Sequence, residues 1–196
     1  MTRVRLEIDE VKIHRPKQRW KLYFVIVAEH PSDSEKMLVT ILPQEEKPIK
    51  LTPRHGNSFH FDTDEIGSEG LFVLSRELPK NRELNVHIYL RHTRKAVRNF
   101  GNILKEVEKE MGKDAYGIKK NIAGIISKTA DSWLVIAKKS VSLIGQILSK
   151  IPDRDFGFLS AFEHFGAEFE ISGEIDRKKD FSGDASLVYS WSVDDV

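Results

Sequence analysis

Asp62, Asp64, Glu65 and Glu69 crowd into one short stretch, "DTDEIGSEG". Carboxylate oxygens at that density on a turn suit a hard cation such as calcium. The spacing begins like an EF-hand loop, but Ile66 takes the fifth position and the later ligands are missing. The candidate metal ligands are Asp62, Asp64 and Glu65, and a solvated acidic turn is the plain alternative. Among the 7 histidines, His87 falls where a neighbouring strand would bring His60 or His55 close to it. That is the minimum for a zinc site or an acid–base pair. No HExxH, G-x-S-x-G or lysine-bearing phosphate loop is present. The chain has no cysteine, which excludes disulfides, thiolate metal sites and cysteine nucleophiles. Glu168 and Glu170 share what reads as a solvated strand face, where nothing raises a carboxyl pKa. These residues point away from an enzyme, and no cofactor is expected beyond calcium at the acidic turn.

A second pattern is physical rather than catalytic. "GIKKNIAGIISKTADSWLVIAKKSVSLIGQILSKI", Gly117 to Ile151, holds six lysines against one acid, Asp131. Its isoleucines, leucines and Trp133 recur at helical spacing, which predicts amphipathic helices over 117–151. If this stripe makes contacts, Trp133, Ile136, Ile144 and Ile147 supply the apolar part and Lys128, Lys138 and Lys139 the charge. Three surfaces fit such a stripe: the chain's own sheet, a protein partner or second copy, and an anionic membrane. Leaving those side chains in water would cost roughly 1.5–3 kcal/mol each, which favours packing against protein. A basic cluster at Arg91, Arg94, Lys95 and Arg98 suits phosphate. It lacks interleaved aromatics, and a formal net charge of +1 supplies no long-range field, so nucleic acid is not expected as a partner.

The elements that would position these groups follow from periodicity. Val4, Leu6 and Ile8 alternate with charged residues, and Val11 and Ile13 resume one residue out of phase. This predicts a strand with a bulge near Asp9–Glu10. "RWKLYFVIVAEH" is apolar on both faces and belongs inside a covered sheet. "MLVTIL", "PIKLT", "SFHFD", "GLFVLSREL" and "ELNVHIYLRH" read as further strands. Ala96, Phe100, Ile103, Leu104, Val107 and Met111 form a helical stripe ending at Gly112. Phe156, Phe158, Phe162 and Phe165 form an aromatic cluster. "AEFEISGEI" and "SLVYSWSV" then predict a closing antiparallel hairpin joined through "DRKKDFSGD".

The expected fold is α+β: one domain over 1–196, with an antiparallel β-sandwich from 1–92 and 166–194. A two- or three-helix insertion spans 94–152. In strand order and length this resembles C2-like sandwiches, over roughly Val4 to Leu90 and the final hairpin. The resemblance implies that an acidic loop at one end, with Asp33 beside it, would take calcium, although the family's ligand set does not map here residue by residue. The functional expectation is a non-enzymatic binding or interaction module in which the helical segment meets a partner. A membrane-active protein that inserts 117–151 is the competing class, and an enzyme with an unidentified site is a further alternative. The longest apolar runs, "YFVIVA" and "WLVIA", fall far short of a span of about 20 residues, and no leader-like run opens the chain. The expected setting is soluble and cytoplasmic.

Overall fold

The computed structural model describes residues 2–14, 19–43, 48–52, 57–61, 70–94, 99–126, 132–181 and 183–195. Two antiparallel sheets face each other, and helices cover part of the outer face of one of them.

The first sheet is built around β1 (Thr2–Ile13). Its order is β12 (Glu174–Phe181), β13 (Ala185–Asp195), β1, β6 (Leu71–Glu77), β9 (Ile125–Ile126), with β5 (Ser58–His60) also on β1. Val4, Leu6, Ile8, Val11 and Ile13 are buried in the inter-sheet core. The pairing of β1 with β13 skips from Ile8 to Glu10, so the expected bulge is present and its extra residue is Asp9. That bulge lets apolar residues of both odd and even phase point inward along one strand.

The second sheet runs β11 (Arg154–His164), β7 (Glu83–His92), β2 (Trp20–Glu29), β3 (Lys36–Leu42), β10 (Trp133–Ala137), β8 (Ala115–Lys119), with β4 (Ile49–Leu51) on β2. Both faces of β2 are used. Trp20, Leu22, Phe24 and Ile26 enter the inter-sheet core, whereas Tyr23, Val25 and Val27 enter a second core. The second core is closed by α1 (Phe100–Met111) and α2 (Leu143–Lys150), through Ile103, Leu104, Val107, Ile144, Ile147 and Leu148. Asn99 caps α1, its side chain accepting from the Asn102 N–H at 3.1 Å.

Three sequence expectations are corrected here. The stretch 117–151 is not helical throughout: it supplies β8, β9 and β10 before a short 3₁₀ turn at Lys138–Ser140 leads to α2. Trp133 and Val135 face the inter-sheet core, and Leu134 and Ile136 face the helical one. A strand buried on both faces is apolar at every position, so the helical count found matches within it by default. Gly117 and Gly124 have φ of 94° and 88°, a conformation that breaks a helix and favours glycine.

"AEFEIS" is not a strand. It forms α3 (Ala167–Ser172), a short helix flanked by Gly166 and Gly173. Phe169 alone of its residues is buried, and Ile171 stands 89% exposed. The strand lies one step later, in the polar run that reads as a connection. Finally, Phe156, Phe158 and Phe162 of the aromatic cluster lie on β11, paired with β7 along its length, and Phe165 follows its end.

β12 escapes notice because the positions in phase with Ile175 and Phe181 are held by Arg177 and Lys179. These reach across the seam between the sheets. Arg177 donates to Glu163 through Nε at 2.9 Å and Nη2 at 3.1 Å, and Lys179 Nζ donates to the Ser160 carbonyl at 2.7 Å. The edge of β11 is thereby blocked by a lysine, a usual device against strand pairing.

Candidate functional site

The predicted contact residues separate by burial. Trp133, Ile136, Ile144 and Ile147 are all buried, at 6% exposure or less. They fill the two cores, which corrects the expectation of an apolar stripe offered to a partner or membrane. Lys138 and Lys139 are exposed, and each faces an acid of the same surface: Glu29 at 3.9 Å and Asp114 at 3.3 Å respectively. Lys150 pairs with Glu110. Lys128 and the acidic residues Asp62, Asp64 and Glu65 lie outside the described residues. Among the described residues, no group of three or more His, Asp or Glu side chains is placed to hold a metal ion. No helix among them is long and apolar enough to cross a membrane.

His87 and His60 do not meet, because β7 and β5 belong to different sheets. His87 packs against Phe158, ring centroids 6.4 Å apart, and burial lowers its pKa. His60 faces Glu10 at 3.7 Å. Glu168 and Glu170 sit on α3, facing Arg177 and Arg82, both at 3.3 Å.

Arg91 leaves the basic cluster altogether. It is fully buried and holds the end of α2: Nη2 donates to the carbonyls of Leu148 (2.8 Å), Ile151 (3.2 Å) and Asp153 (2.9 Å). Its Nη1 lies 3.4 Å from Asp155. Tyr23 Oη donates to the Asp153 carboxylate at 2.7 Å, so two outward side chains of the sheet anchor the same helix end. A cation here also answers the negative end of the helix dipole.

On the outer face of the first sheet, the bulge turns Asp9 toward Glu7, Asp176 and Glu174. Burial pushes the Asp9 carboxyl up to about 7, and those carboxylates push the same way, while a hydrogen bond from Ser190 opposes them. Burial likewise raises Glu7, against the pull of Arg5. A Cβ on Gly70 would fall 2.7 Å from Asp9 Oδ1, so only glycine fits over this carboxylate.

The helical layer does not reach the far edge of its sheet. Along β11, Phe158 and Phe162 point outward at 57% and 49% exposure. Phe158 stacks on Tyr89 at 5.4 Å, and Tyr89 in turn lies under Gly145 of α2. Ser160 donates to Asn85 Oδ1 between the two phenylalanines. The result is an aromatic strip with a polar centre, continuous with the margin of a helix-covered face. Its sequence signal is the phase of β11: Leu159, Ala161 and Glu163 are buried, and Phe158 and Phe162 fall on the opposite positions. The chain matches no protein-family model, and no curated protein is similar to it.

Proposed function

We propose that the protein is a non-enzymatic interaction module that self-associates through the uncovered strip of β11 and β7. The observation that carries this reading is the pair Phe158 and Phe162, about half exposed on a sheet face that α1 and α2 cover in part. Isolated exposed apolar residues need no explanation, but aromatics grouped beside a half-covered apolar face mark a contact surface. A second copy of the chain is the occupant. The Lys179 contact on Ser160 closes the main-chain edge, so partners meet through side-chain faces and not by adding a strand. An isologous contact sets each aromatic strip against its twin. In this reading the sandwich, with its C2-like strand order, is the rigid platform.

The strip is small beside the total of about 1,600 Å² buried in a standard interface, so association is weak, with Kd on the order of 10–100 µM. Sedimentation velocity over a concentration series tests this. The expected result is a concentration-dependent dimer, and the double variant Phe158→Ser/Phe162→Ser moves its midpoint at least about tenfold upward. Thermal stability should be nearly unchanged, because both rings are already exposed. A wild-type chain that remains monomeric up to roughly 200 µM, beyond the expected Kd, overturns the reading.

A further inference from the structure

Three turns meet at one end of the sandwich: 30–35 between β2 and β3, 78–82 between β6 and β7, and 120–124 between β8 and β9. They flank a half-open pocket of about 400 Å³. Pro31, Leu78, Pro79 and Ala123 give it apolar walls, Lys80 and Ser32 contribute polar groups, and Glu77 also lines it. The turn at Gly124 is held close, since a Cβ there would stand 3.2 Å from Pro31.

Arg76 lines this pocket and is only 6% exposed. It follows Leu74 in phase on β6, where an apolar residue would normally face the core. Nη1 donates to the Glu29 carbonyl at 3.0 Å. Nε is shielded from solvent and donates to nothing, and no further hydrogen bond of the guanidinium is present among the described residues. No carboxylate among them lies within ion-pair distance of it. Glu29 sets its carboxylate 3.9 Å from Lys138, and Glu29 and Glu77 both act on Arg76 from beyond ion-pair distance. A buried cation without a directly paired counter-charge is expensive, and burial depresses the Arg76 pKa against the opposing pull of Glu29 and Glu77. The fold therefore keeps a guanidinium with no ion-pair partner among the described residues at the inner side of a pocket that Lys80 and Glu77 also line.

We propose that this pocket binds a small organic anion whose carboxylate or phosphate group is seated against Arg76, with its apolar body between Pro31, Leu78 and Pro79. Guanidinium donors are suited to either oxyanion, and the volume lies at the small end of ligand sites. The site is separate from the aromatic strip and does not depend on self-association.

Titration of the full-length chain followed by amide ¹H–¹⁵N shifts tests the assignment, with benzoate, phenyl phosphate and the neutral control benzamide as probes. The expected result is saturable shifts confined to residues 30–33, 76–80 and 122–124, with Kd on the order of 0.1–1 mM for a ligand of this size. Benzoate binding more tightly assigns a carboxylate ligand, and phenyl phosphate binding more tightly assigns a phosphate ester. Benzamide should produce no such shifts. Arg76→Met should abolish the response. Lys80→Gln, an exposed change that leaves the core intact, should weaken it at least about threefold, as loss of one near-surface charge does. No response to either anion, an equal response to benzamide, or undiminished binding in either variant overturns the proposal.

Discussion

Replacing Arg91 by methionine tests how the helical layer is held to its sheet. The side chain is fully buried, and one nitrogen serves three carbonyls at the end of α2. Losing a hydrogen bond to a charged group costs about 1.5–3 kcal/mol. The Leu148 and Ile151 carbonyls each keep a backbone donor, the Ile151 N–H at 3.0 Å and the Asp153 N–H at 2.7 Å, so they lose a charge-assisted bond without being stranded. Against this, Arg91 Nε and Nη1 are themselves buried without hydrogen-bond partners, so removing them relieves some desolvation. The net expectation is a loss of about 2–4 kcal/mol, a large fraction of the stability of a domain this size. At about 2–4 °C per kcal/mol, Tm should fall by about 4–16 °C. Denaturant titration gives the energy, and hydrogen exchange over 143–153 gives its location. Asp155→Asn serves as a control: its contact is 3.4 Å and its carboxylate is 43% exposed, so its loss should stay below about 1 kcal/mol. An Arg91→Met loss below about 0.5 kcal/mol, or unchanged exchange in α2, would refute the anchoring role.

Asp9 predicts an inverted pH dependence. Its folded pKa is about 7 against an ordinary 3.8, so the native chain holds the proton more tightly than the unfolded one. Its stabilising contribution is complete below about pH 4 and is lost as pH rises through 7. Asp9→Asn should therefore exceed wild type above pH 7 by about 1–2 kcal/mol after solvent screening, with the gap closing toward pH 4. A gap that does not vary with pH contradicts this. Two isoleucines separate pattern from burial: Ile144→Ala should cost about 2–5 kcal/mol, and Ile171→Ser less than about 0.5 kcal/mol. Similar losses by denaturant titration would show that α3 is packed more tightly than its 89% exposed isoleucine implies.

Much of the β-architecture is written locally. β1, β2, β7 and β13 each alternate or saturate with apolar residues over enough length to specify a strand. The bulge at Asp9 is visible as a change of phase between Ile8 and Val11. α1 also follows from its stripe and its glycine stop. Trp133–Ala137 is different: five apolar residues in a row satisfy either period, and only pairing with β3 and β8 makes them a strand. Arg177 and Lys179 look like linker residues until Glu163 and the Ser160 carbonyl appear across the seam.

The site chemistry shows the same division. Sequence alone determined which groups the chain owns: no thiol, scattered histidines, and cationic and aromatic residues in known phases. It could not show that Arg76 and Arg91 are buried, because their burial depends on carbonyls and loops distant along the chain. Nor could it show that Phe158 and Phe162 stay uncovered while Trp133, Ile136, Ile144 and Ile147 are spent inside. Periodicity reports which side chains share a face, and that is a local property of the backbone. What lies against the face is settled by long-range packing, which here gives one side of a sheet two helices and leaves its far edge in water.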